Sequence, residues 1–232
     1  SDIESFVFEG VDFEIACGVE NHVVVKAKSE DDFGLISDEN KLIVKSISNR
    51  NWFSWRARPT VFVKATVQIA PTRIKARASE GTVSECSWNQ GSLEMHATAG
   101  SEIRISPFRG NLSRVQIDAS SNGDVELNGE MSIVELEVDI SSGASVELGG
   151  AISASELDLK ASSGSDFESD ENQKVQRAKV NLSSGATAEI CGAQRVSGNL
   201  SSGGLLEVGR SAYPNSMNID KSSGGRVEFD CN

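Results

Sequence analysis

Leu136 to Gly150 reads LEVDISSGASVELGG. Leu136, Val138 and Ile140 alternate with Glu137 and Asp139, a Ser141-Ser142-Gly143 turn follows, and Val146 and Leu148 then flank Glu147. Alternation with period two places the apolar side chains on one face of a pair of strands and the acids on the other. The turn between them needs a residue that tolerates positive φ, which Gly143 supplies.

The same unit recurs along the chain. Aligned on the turn residue, eight copies fall at Gly81, Gly100, Asn122, Gly143, Gly164, Gly185, Gly203 and Gly224, spaced by 19, 22, 21, 21, 21, 18 and 21 residues. Asn122 fits the same position because Asn also enters the left-handed region. Of the forty positions at offsets −7, −5, −3, +3 and +5, thirty-six are apolar; the exceptions are Ser84, Ser169, Gly198 and Lys221. A composition 38% apolar would place about fifteen there, so the periodicity is a property of the chain. None of the residues at −6, −4 and +4 is apolar. One such copy cannot bury a face alone, but coils stacked about 4.8 Å apart share a core and satisfy one another's backbone groups. The expectation is an all-β, right-handed parallel β-helix of about eight coils, each with an SSG-type corner, the hand following from the crossover rule.

SSGASVEL, SSGATAEI and SSGGRVEF resemble the GSG-centred repeats of the head GIN domain family of auto-transporter adhesins. VDFEIACG, HVVVKAK and KLIVKSI resemble that family's N-terminal half, so the likeness covers nearly the whole chain. The chain writes SSG where GSG is commoner, but the turn glycine is kept. The resemblance implies a pectin-lyase-like β-helix without known catalytic residues, a role in adhesion at bacterial surfaces, and trimers.

Upstream, Val11-Phe13-Ile15-Cys17 and Val23-Val25-Ala27 alternate, and further strands are expected at 42–47 and 61–69. Residues 1–72 therefore read as opening coils or a β cap continuous with the solenoid of 73–232. Some cap is required, because an open end exposes strand edges and apolar surface. A net charge of −12 argues against general nucleic-acid binding, which needs a basic face. No apolar run is long enough to span a membrane. Export to the periplasm, outer-membrane surface or medium is what the resemblance implies.

Cys17, Cys86, Cys191 and Cys231 show no CxxC metal spacing. Cys191 and Cys231 fall in copies two apart, roughly 9.6 Å by strand spacing and beyond disulfide reach. Separate thiols are expected, with a Cys17–Cys86 bridge left open.

Three features invite a binding role. The Ser120, Ser141, Ser162, Ser183, Ser201 and Ser222 corners form a hydroxyl ladder, which either meets glycans or bonds the turns. Residues 40 to 79 hold nine bases and no acid, and enclose Trp52, Phe53, Trp55, Arg56 and Arg58. Indole faces stack on sugar rings and Arg forks grip carboxylate or phosphate, so this cluster is the candidate binding site; the alternative is that the rings plug the core. At offset +4 stand Glu85, Arg104, Glu126, Glu147, Glu168, Glu189, Glu207 and Glu228. That acidic stripe, Glu126 to Glu228, is a candidate Ca²⁺ site, or simply a soluble face.

Catalysis has little support. His22 and His96 are the only histidines, and no GxSxG, HExxH or phosphate-loop motif is present. The reading is a non-enzymatic surface or periplasmic module that binds glycans or other surface molecules. The alternatives are a polysaccharide lyase or hydrolase on the same scaffold, and a purely structural module.

Overall fold

A computed structural model describes residues 2–47, 61–89, 91–169, 172–209 and 216–229. The alternating runs become strands of a parallel β-solenoid, each coil hydrogen-bonded in register to the next. In chain order they are β1 (Ser5–Glu9), β2 (Asp12–Cys17), β3 (His22–Lys26), β4 (Phe33–Asp38), β5 (Lys41–Ser46), β6 (Phe62–Val67), β7 (Arg73–Arg77), β8 (Glu80–Ser84), β9 (Ser87–Trp88), β10 (Ser92–Thr98), β11 (Glu102–Ser120), β12 (Asp124–Ser141) and β13 (Ser145–Ser162). Then come β14 (Asp166–Ser169), β15 (Lys174–Leu182), β16 (Thr187–Ile190), β17 (Arg195–Leu200), β18 (Leu205–Val208), β19 (Ser216–Lys221) and β20 (Arg226–Glu228). One short 3₁₀ turn, Glu30–Asp32, is closed by a Ser29 capping box.

The corners work as the turn chemistry requires. Two successive residues take positive φ, Ser142 at 57° and Gly143 at 71°, and such pairs recur from Ala99-Gly100 to Ser223-Gly224. The ladder does not break there: Gly143 N–H donates to the Ser163 carbonyl of the next coil at 3.2 Å, and Gly203 N–H to that of Ser223 at 3.1 Å. Behind the corners the inward residues stack in rows. Val138, Ile140, Leu148, Leu159, Leu182 and Ile190 are all buried. Ser169, an exception in the apolar pattern, is buried too and donates its hydroxyl to the Glu189 carbonyl at 3.1 Å.

The first copy departs from the alignment on glycines. Thr98 stands opposite Arg77 and Glu102 opposite Glu80, so three corner residues in one coil match two, Ala78 and Ser79, in the other. Gly81 is consequently no turn; it lies on β8 beside Ile103. A Cβ there would meet the Phe13 ring at 2.4 Å, so the glycine is required by packing. Seven SSG-type corners remain among the described residues, from Gly100 to Gly224.

The N-terminal end supplies both opening coils and a cap. β1 and β2 do not begin the stack: β5 and β6 pair with them on one side, β7 and β8 on the other, all parallel. The outermost coil, β5–β6, is then covered by antiparallel strands, β4 on β5 and β3 on β6. Phe6, Phe8 and Phe13 stack inside these coils, with centroids 5.9 and 4.0 Å apart.

This order of insertion corrects the expectation of separate thiols. β2 lies against β8, with Ala16 opposite Ser84, and the Cys17–Cys86 disulfide forms just beyond, across a Cα–Cα distance of 4.8 Å. Cys191 is disulfide-bonded as well, and no described cysteine is free. Cys231 lies outside the described residues.

Candidate functional site

Outward side chains of a parallel coil stack lie in columns at the strand spacing, about 4.8 Å. On the strands that follow the SSG corners two such columns run side by side. One is Glu126, Glu147, Glu168, Glu189, Glu207 and Glu228, paired in register coil by coil. Arg104 precedes Glu126 in it, and Thr82 precedes Arg104, so Thr82 stands where the glycine alignment put Glu85. The parallel column holds Glu80, Glu102 and Asp124, then Ser145 and Asp166.

Carboxylates held this way disfavour one another's charge. Burial and the charges of Glu126 and Glu168 push the Glu147 carboxyl up from its ordinary value. Glu168 is pushed up chiefly by a hydrogen bond with Asp166, then by burial and the Asp166 charge. The stripe is a row and not a cage: among the described residues no three His, Cys, Asp or Glu side chains converge to hold a metal ion.

Toward the N-terminal end the face hollows into a groove of about 300 Å³, lined by Asp12, Glu14, Phe62, Glu80, Thr82, Glu102 and Arg104, with Phe13 and Gly81 between the columns. It exists because one coil presents two small residues in succession on β8, Gly81 and Thr82, where the next coil carries Ile103 and Arg104. Phe62 continues the column above Asp12, a half-buried aromatic ring at an outward position. Glu102 keeps only 19% of its side chain exposed, and burial plus a hydrogen bond with Glu80 raises its pKa against the pull of Arg104. Arg104 contacts Glu102 and bonds Glu126 at 2.9 Å, while Lys64 bonds Glu14 at 2.7 Å.

Of the six described bases in residues 40 to 79, four pair with acids of neighbouring coils. Lys45 meets Glu9 at 2.9 Å, Lys75 reaches Glu94 at 3.5 Å, and Arg73 also contacts Glu94. Burial opposes ionisation of Glu94, but hydrogen bonds from His96 and Arg73 outweigh it and bring the carboxyl down to about 2. His96 bridges coils, one ring nitrogen against Glu94 and Nδ1 3.1 Å from Asp118.

Trp52, Phe53, Trp55, Arg56 and Arg58 lie outside the described residues. The third tryptophan, Trp88, is buried against Phe108 and donates its indole N–H to the Pro71 carbonyl at 2.9 Å. The groove was missed in the sequence because its rails depend on the one-residue slip at Gly81. Glu80 and Glu102, twenty-two residues apart, were the available signal.

Among the described residues no helix is long and apolar enough to cross a membrane. Among curated proteins none matches the chain. Solved structures share its fold at low identity. A putative adhesin from Parabacteroides merdae superposes with a TM-score of 0.79 at 14% identity, covering 99% of this chain and 92% of that one. A putative lipid binding protein from Parabacteroides distasonis gives 0.78 at 12% identity, covering 99% and 93%. A putative adhesin from the same species gives 0.77 at 13% identity, again covering 99% and 93%. The model of the putative auto-transporter adhesin, head GIN domain, matches residues 3–212, and with these coils and corners the chain belongs to that family.

Proposed function

We propose that this chain is a non-enzymatic, exported module of the bacterial surface or periplasm that attaches to surface molecules, glycans foremost. The supporting observation is where apolar surface is left open. Val19, Leu35, Ile36, Ile47 and Ile69 are exposed within the first sixty-nine residues, against Val134 and Met217 in the rest of the described chain. Leu35 and Ile36 lie on β4, the strand that covers the outermost coil, and Ile47 follows its partner β5, so three of the five belong to the cap, where exposed apolar side chains mark an interaction surface. Trp52, Phe53, Trp55, Arg56 and Arg58 fall in the sequence between Ile47, just after β5, and Val61, just before β6, the two strands of the outermost coil. Stacking indoles and forked guanidinium groups suit a glycan or an anionic surface group.

The test is a glycan array and a cell-binding assay with the intact chain and with Trp52→Ala combined with Trp55→Ala. Loss of binding at an unchanged melting temperature supports the reading. Binding that persists in the double variant, or a collapse in stability, overturns the assignment to these rings. A second reading, a glycan-cleaving enzyme, draws on the raised Glu102 carboxyl in a groove that also holds Asp12 and Glu14, since glycoside hydrolysis pairs a raised acid with a second carboxylate several ångströms away. Release of shortened product from an array ligand would favour it over attachment.

A further inference from the structure

The groove between the two columns has a chemistry of its own. Asp12, Glu14, Glu80, Glu102 and neighbouring Glu126 bring five carboxylates to it, against two cations, Arg104 and Lys64. Both cations are already committed, Lys64 to Glu14 and Arg104 to Glu102 and Glu126. Two of the carboxyls, Glu80 and Glu102, are hydrogen-bonded to each other in a partly desolvated place, where an added cation would be worth more than at the open surface. The lining is not uniformly acidic. Phe62 lines the outer end with a half-buried aromatic ring, and Thr82 adds a hydroxyl that both donates and accepts. A volume of about 300 Å³ is at the lower end for small-molecule clefts, which combine an apolar wall with a few placed polar groups.

A small hydrated ion would leave the apolar surface of Phe62 uncovered, and a neutral sugar would leave the acids uncompensated. An ammonium group beside a ring with an apolar face uses both, by charge pairing and by contact with the aromatic face. We propose that this groove binds an amino sugar with a free amine, its ammonium against the paired Glu80 and Glu102 carboxyls and its ring against Phe62. The inference refines the glycan-binding reading and rests on it, placing a contact on the solenoid's acidic face.

The test is calorimetric titration of the whole chain with a glucosamine hexamer, its fully N-acetylated counterpart, and a lysine hexapeptide of equal charge. The glucosamine oligomer should bind at least tenfold more tightly than either competitor. Glu80→Gln with Glu102→Gln should weaken it at least tenfold, and Phe62→Leu severalfold. Glu207→Gln with Glu228→Gln, on the same face but remote from the groove, should leave it unchanged. Each variant's melting curve is compared with the parent so that loss of binding is not loss of fold. Equal binding of the acetylated oligomer, equal binding of the lysine peptide, or indifference to the Glu80 and Glu102 changes would overturn the proposal. If the glucosamine oligomer fails while the chain still binds other glycans or cells, the groove assignment falls and the broader reading stands.

Discussion

Replacing Glu147 with Gln should stabilise the protein at neutral pH, which is unusual for a substitution in a well-formed strand. Glu147 lies in register between Glu126 and Glu168, one coil away on each side. At about 4.8 Å, two unit charges repel by about 0.9 kcal/mol in bulk water. A Debye length of about 8 Å at physiological salt leaves roughly half of that for each neighbour. Like charges directly opposite on a sheet cost a few tenths to about 1 kcal/mol, in agreement. Glu147→Gln removes both repulsions, so a gain of about 0.5–1 kcal/mol is expected at pH 7, about 1–4 °C in melting temperature for a chain of this size. The pH dependence has a definite sign. Burial and the neighbouring charges hold the folded pKa of Glu147 above the unfolded value of about 4.3. Between the two values the native state binds more protons than the unfolded one, so stability falls as pH rises through the folded pKa. The advantage of Gln should therefore be full above that value and absent below about pH 4, where both states are protonated. Thermal melts of parent, Glu147→Gln, Glu168→Gln and the double variant, at pH 7 and 3.5 and at two salt concentrations, measure it directly. A gain that persists at pH 3.5, or that ignores salt, would refute the electrostatic reasoning.

Two further outcomes follow from the way the coils are closed. Cys17→Ser with Cys86→Ser opens a link between residues 69 apart and should cost about 4 kcal/mol on chain-entropy grounds, read as a lower urea midpoint than the oxidised parent's. Lys221 stands in register above the buried Leu200, at an inward position yet exposed at the last described coil. Lys221→Leu should promote end-to-end association, since a charge there blunts stacking by another chain; unchanged sedimentation would count against that role.

The coils and their corners are legible in the sequence because both rest on local rules. Alternation along 136–148 decides which side chains face inward whatever the rest of the chain does, and Gly143 takes positive φ at no steric cost. The six-glutamate column followed from the fixed offset of each glutamate from its corner, which keeps register even across the 18-residue step from Glu189 to Glu207. Where the corner itself changes length, local reading fails. The corner at Ala78-Ser79 is one residue short, so Gly81 imitates a turn in the sequence while serving in the fold as the gap that admits Phe13. The disulfide, the antiparallel cap and the groove share a different cause. Each depends on β1 and β2 being sandwiched between β5–β6 and β7–β8, an order of stacking that no periodicity encodes. That choice is made by burial: Phe6, Phe8 and Phe13 are covered on both sides only when a coil lies above and below them. It brings Cys17 to Cys86 and sets Phe62, Asp12, Glu80 and Glu102 in one column from strands widely separated along the chain.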